Sequence, residues 1–173
     1  MIRVRTFAML GRAAAPEPLN FDVSGVDGIV LFNGFERLET GYGPGIRFEN
    51  LDGLHKAIAV SIALDRAPLS ARELRFLRNQ QDMTQADIAR LLKVDVQTVA
   101  RYEKEQTEIP FASQKLVKIA YILAQLPKDV QLDGVRLLVD EENTAPQLPS
   151  RLLARAKTGW EVRVEEAVSH VPA

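Results

Sequence analysis

Apolar positions along this chain recur at two different periods, and the change from one to the other divides it. Between residues 28 and 49 the spacing is near two. Ile29-Val30-Leu31-Phe32 runs into Asn33-Gly34, a pair suited to a type I′ turn, and Phe35–Leu38 returns, so a β-hairpin is predicted over 28–38. Gly41, Gly43, Pro44 and Gly45 mark a second turn, and Ile46-Arg47-Phe48-Glu49 alternates like a third strand. Residues 20–50 therefore read as a small antiparallel sheet. From 52 to 65 the period becomes helical, with Leu51, Leu54, Ile58 and Ile62 on one stripe. Ser70-Ala71-Arg72-Glu73 is a capping box that opens a helix to about Gln81, carrying Leu74 and Leu77. Helices at 85–92 and 96–104 follow. After Pro110, well placed in a first turn, another runs to about Gln125 with Leu116, Ile119, Ala120 and Leu123 facing inward.

The ends are less regular. A strand is expected at Ile2–Phe7, a loop at Ala15–Pro18, a short helix at Val130–Leu138 and a solvated acidic run at 140–143. Pro146 and Pro149 bracket a linker. Trp160, Val162 and Val164 alternate with charged residues, which predicts a terminal strand needing a partner sheet, either the N-terminal one or that of a second copy.

The stretch from Met83 to Glu103 is the most specific. Thr84 and Asp87 form a variant capping box, and Asp95 can cap the next helix from the backbone N–H of Gln97 or Thr98. Ile88, Ala89, Leu92, Val94, Val99 and Tyr102 fall where two steeply crossing helices would bury them, and Ala89 is small where they must approach. That is the pattern of a helix-turn-helix, whose second helix lies in the DNA major groove.

Composition sharpens this reading. The 173 residues suffice for one good core, or a small domain with an appended module. The net charge of −1 announces no nucleic-acid partner, but its distribution says more. Residues 70–128 carry ten Lys/Arg against seven Asp/Glu, whereas 1–69 carry seven against eight and 129–173 five against eight. Positive charge is thus concentrated in the segment holding the motif. The absence of cysteine excludes disulfides and thiolate zinc sites. No apolar run approaches a membrane span, and the Arg3, Arg5, Arg12 start has too short an apolar stretch for a secretory signal, so a cytoplasmic protein is expected, nucleoid-associated when bound to DNA. No cofactor and no metal is expected: His55 stands on a helix flank with no second ligand nearby, and His170 lies in the tail.

On Leu74-Arg75-Phe76-Leu77-Arg78, Met83–Ala89 and Val96–Glu103, the chain resembles the lambda/Cro-type repressors, the Xre-like helix-turn-helix family. The resemblance implies a mainly α fold, with a five-helix DNA-binding domain over about 70–126. A small N-terminal β-hairpin or sheet plus helix would precede it, and a C-terminal extension would follow. The division expected is 1–66, 67–127 and 128–173. Leu54–Ile58 joined to Leu69–Arg78 is more narrowly similar to antitoxins of the MqsA type, yet the paired Cys-x-x-Cys motifs of their zinc-binding part are missing. In many helix-turn-helix relatives a glycine stands where this chain has Lys93, at a left-handed helix exit.

The resemblance implies double-stranded DNA as partner and names the contacts. Gln85 opens a helix where free N–H groups and the dipole favour a phosphate, with Thr84 beside it. Val96 and Gln97 occupy the first turn of the reading helix. Gln97 can pair with adenine N6/N7, and Val96 can touch a thymine methyl or be half-buried instead. Arg101, one turn on, can fork onto guanine or clamp a phosphate, or pair with Glu105 along its own helix. Asp95 caps that helix, and Thr98, Lys93 and Lys104 would hold the backbone, although either lysine can equally be a solvated surface group. Gln85 can instead just close its helix end, although the resemblance favours a DNA contact. Glu103, Arg75 and Arg78 read as structural. The function expected is a homodimeric repressor on a palindromic operator, dimerising through the hairpin module, the 52–65 helix or the terminal strand. The alternative is a type II antitoxin that binds a cognate toxin and represses its own operon. An enzyme is not expected, since no nucleophile elbow or metal cluster is present and Pro44 removes a donor from the only glycine-rich segment.

Overall fold

The computed structural model describes residues 17–139 and 151–163. The expected strand at 2–7, the acidic run at 140–143, the prolines at 146 and 149 and Val164 lie outside them. Strand β1 (Leu19–Asn20), a short 3-10 turn (Asp22–Ser24) and β2 (Ile29–Leu31) lead into the hairpin of β3 (Phe35–Thr40) and β4 (Gly43–Phe48). Helices α1 (Leu51–Leu64), α2 (Ala71–Asn79), α3 (Gln85–Leu92), α4 (Val96–Glu103), α5 (Phe111–Gln125) and α6 (Lys128–Val139) follow, then β5 (Arg151–Ala156) and β6 (Gly159–Arg163). The described chain is mainly helical. Four helices fall within 70–126 rather than five, and α1 and α6 flank them.

The hairpin expected at Asn33-Gly34 does not form. β2 pairs antiparallel with β1 and parallel with β5, while β3 pairs only with β4, so the sheet order is β1-β2-β5-β6 beside a two-stranded β3-β4 ribbon. A type I′ turn needs positive φ at both central residues, but only Gly34 has it. The Asn33 side chain instead pairs with the backbone of Arg155, accepting its N–H and donating to its carbonyl at 3.1 Å. Gly34 lies beneath the Trp160 indole: a Cβ there would sit 2.5 Å from one ring carbon and 2.7 Å from Arg155 Cβ. The two residues dock β5 and β6 instead of folding the chain back. The terminal strand thus finds its partners within the same chain, in the sheet of the N-terminal segment. Trp160 Nε1 donates to the carbonyls of Glu49 and Asn50, tying β6 to the start of α1.

One continuous apolar cluster joins sheet and helices. Phe21, Ile29, Leu31 and Leu153 belong to it together with Leu54, Ile58 and Ile62 of α1 and Leu74, Leu77, Ile88 and Val99 of the following helices. Three of the four stripe residues of α1 are buried, and Leu51 at its first position is not. In α5 the inward stripe is rotated from the expected one. Gln114, Val117, Lys118, Tyr121 and Ile122 are buried, whereas Leu116 and Leu123 are 40% and 52% exposed. The buried polar members are satisfied and so cost little. Gln114 accepts from Leu69 N and donates to the Ile109 carbonyl, each at 2.7 Å. Lys118 Nζ donates to the carbonyls of Asp65 and Ala67, also at 2.7 Å. Burial lowers the Lys118 pKa, with Asp65 and Glu73 acting the other way, and raises that of Tyr121 to about 12.

Beside Lys118 lies a buried ion cluster. Arg151, at the start of β5, pairs with Asp65 at the end of α1 (2.9 Å) and with Glu73 in the first turn of α2. Glu73 simultaneously closes the α2 capping box by accepting from Ser70 N at 2.9 Å. The same carboxylate starts a helix and ties the C-terminal strand to it.

Candidate nucleic-acid interface

Two capping interactions set the α3–α4 pair. Thr84 Oγ accepts from Asp87 N while the Asp87 carboxylate accepts from Thr84 N at 2.9 Å, the reciprocal box read from the sequence. Those hydrogen bonds from the Thr84 side chain and backbone hold the Asp87 pKa below its ordinary value. Lys93 ends α3 with φ 57°, and its amide reaches the Ala89 carbonyl, so the left-handed exit exists without glycine. Two residues later Asp95 Oδ1 accepts from Gln97 N at 2.7 Å and opens α4. Ile88, Ala89, Val99 and Tyr102 are buried at the crossing, with Leu92 and Val94 packed against them less completely.

With that face fixed, α4 has only one side to present. Gln97, Arg101 and Lys104 are exposed at spacings of four and three, and Val96 is 43% exposed at the leading end. Thr98 is half-buried, while Lys93 is exposed at the adjoining turn. The Arg101–Glu105 pair does not form; Glu105 takes a left-handed φ of 58° as the chain leaves the helix. Among the described residues Lys93, Arg101 and Lys104 make no ion pair. The structure thus brings Val96, Gln97, Arg101 and Lys104 onto one surface with Lys93 at its edge. The side chains of Thr84 and Asp95 are occupied with helix starts.

The Gln85 side chain is engaged within the fold. Its Nε2 donates to Glu103 Oε2 at 2.9 Å. Glu103 is buried at the end of α4 and also receives Arg78, whose Nε and Nη2 reach its two oxygens at 2.6 and 3.1 Å. Arg78 Nη1 donates further to the Met83 carbonyl at 3.0 Å. Burial works against charge on Glu103, but the hydrogen bonds from Arg78 and Gln85 and the charges of Arg78 and Arg75 outweigh it, so its pKa lies below the ordinary value. This cluster locks α2, α3 and α4 into one rigid unit. The sequence marked its members as structural one by one and gave no sign that Gln85 joins them. Its only signal is the seven-residue offset from Arg78 to Gln85 across a capped turn, which no local rule interprets.

No group of three or more His, Cys, Asp or Glu among the described residues is arranged to hold a metal. No helix there is long and apolar enough to cross a membrane. Burial lowers the pKa of His55, which packs between Phe21 and Phe76.

Residues 74–120, about a quarter of the chain, match the helix-turn-helix family, which points to a DNA-binding regulator of transcription. That match begins downstream of the 54–58 helix and lends nothing to the narrower antitoxin resemblance. No curated protein and no solved structure matches the chain.

Proposed function

We propose that the chain is a sequence-specific DNA-binding repressor that acts as a homodimer on a palindromic operator. The observation that carries this reading is the pair Gln97 and Arg101, exposed one turn apart on a helix whose opposite face is pinned by Val99, Tyr102 and Glu103. Gln97 suits adenine N6/N7 and Arg101 suits guanine O6/N7, while the half-exposed Val96 can touch a thymine methyl. Lys93, Lys104 and those first-turn amides of α3 and α4 that the caps leave open would hold phosphates and so fix register. One such head makes few contacts. Two-fold pairing doubles them and sets half-sites about 34–36 Å apart.

Selection of bound duplexes from a random pool, at stated salt, tests the reading. A palindromic consensus is expected, and Arg101→Ala should cost about 1–3 kcal/mol on it while relaxing the preference at one base pair per half-site. An equal loss on every sequence would reduce Arg101 to a phosphate clamp. Failure to retain any duplex at low ionic strength would overturn the proposal.

A further inference from the structure

Resting on that DNA-binding reading, the geometry points to Arg75 as a further DNA-backbone contact, aimed by Glu103. Glu103 already has its counter-ion, because Arg78 takes both of its oxygens through two nitrogens and is itself mostly buried. Arg75 adds a second cation to the same carboxylate at a looser 3.5 Å, and its Nη2 donates to the Glu103 carbonyl at 2.9 Å. The cluster of Arg75, Arg78 and Glu103 therefore keeps one uncompensated positive charge. That charge is at the surface: the Arg75 side chain is 52% exposed and the Glu103 side chain 1%.

Its position is set as well. Glu103 Oε2 lies within 3.5 Å of Arg75 Nε and within 2.9 Å of Gln85 Nε2, so the guanidinium stands beside the first residue of α3. The positive end of that helix and the surplus cation point to the same polyanion. One hydrogen bond to the Glu103 carbonyl and the looser ion pair to its carboxylate hold the Arg75 fork in place, leaving the rest of its planar donor set for a phosphate oxygen. Glu103 is accordingly a positioning residue and Arg75 the contact.

The test uses the full chain and a random-sequence duplex, since phosphate contacts do not depend on sequence. Binding is measured against salt for the wild type, Arg75→Gln and Arg75→Lys. Glutamine keeps the side chain as far as the Arg75 Nε position, beside the Glu103 carboxylate, but removes the charge, and lysine retains the charge; circular dichroism confirms that each variant is folded. Arg75→Gln should lower the slope of log K against log salt by about 0.9, one phosphate, with Arg75→Lys close to wild type. A wild-type slope in folded Arg75→Gln, or an equal decrease in both variants, would overturn the assignment and leave the reading helix untouched. A wild type without salt-dependent binding would overturn both.

Discussion

Arg151 is the side chain whose removal should disturb the fold most for the fewest atoms changed. It is buried, and both its partners are carboxylates with side-chain exposures of 12% and 4%. Replacing it by methionine retains most of the aliphatic length but leaves Asp65 and Glu73 with no cation in direct contact; the nearby Lys118 ammonium is bonded to carbonyls. Removing one partner of a buried ion pair typically costs about 3–5 kcal/mol, because the charge left behind is uncompensated. For a chain of this length each kcal/mol shifts Tm by roughly 2–4 °C, so Arg151→Met should lower it by roughly 6–20 °C. The triple variant Arg151→Met, Asp65→Asn, Glu73→Gln should recover most of that loss. Glutamine still completes the capping box, and asparagine still accepts from Ala67 N. Thermal and urea unfolding followed by circular dichroism read both variants. A loss below about 1 kcal/mol for the single change, or a triple variant no better than the single, would refute the reasoning.

Three further outcomes follow from particular residues. Lys93→Gly should stabilise the chain by about 1 kcal/mol, since glycine relieves the left-handed penalty at φ 57°; DNA affinity unchanged in that variant would show that Lys93 touches no phosphate. The Glu103 pKa is depressed in the folded state, so its contribution to stability is fully present above the ordinary value of 4.5 and is lost as pH falls through the lower folded value. The stability gap between wild type and Glu103→Gln should accordingly close in that acid window, and a gap independent of pH would contradict the ion cluster. Gly34→Ala should cost about 2 kcal/mol or more, because a Cβ at φ 77° collides with Trp160. The sole tryptophan reports this directly, and unchanged emission and Tm would show that the close approach is wrong.

What could be read from the sequence is what local chemistry encodes. Thr84 with Asp87, Asp95 before its helix, and Ser70 with Glu73 each announce a helix start within four residues, and all three caps are present. The exposed face of α4 followed from those starts and the burial of Val99 and Tyr102. Asn33-Gly34 misled because its local turn preference was overridden by partners more than a hundred residues away, on β5 and β6. The α5 stripe was misplaced for a related reason. Gln114 and Lys118 look like surface residues until the carbonyls they satisfy, on segments 5 to 53 residues distant, are known. Glu73 was legible as a cap and illegible as the partner of Arg151. Gln85 was legible as a helix opener and illegible as a ligand of Glu103.

The central claim is that the exposed side of α4 faces the duplex, and the cysteine-free chain makes it directly measurable. A Lys104→Cys variant carries one thiol at the end of α4, on which a chelated iron can be mounted to cleave nearby DNA. Asp133→Cys, on an exposed position of α6, is the control. The account predicts cuts confined to a few adjacent nucleotides in each half-site from position 104 and none from position 133. Cleavage from 133, or none from 104 while the labelled chain stays bound, would contradict it.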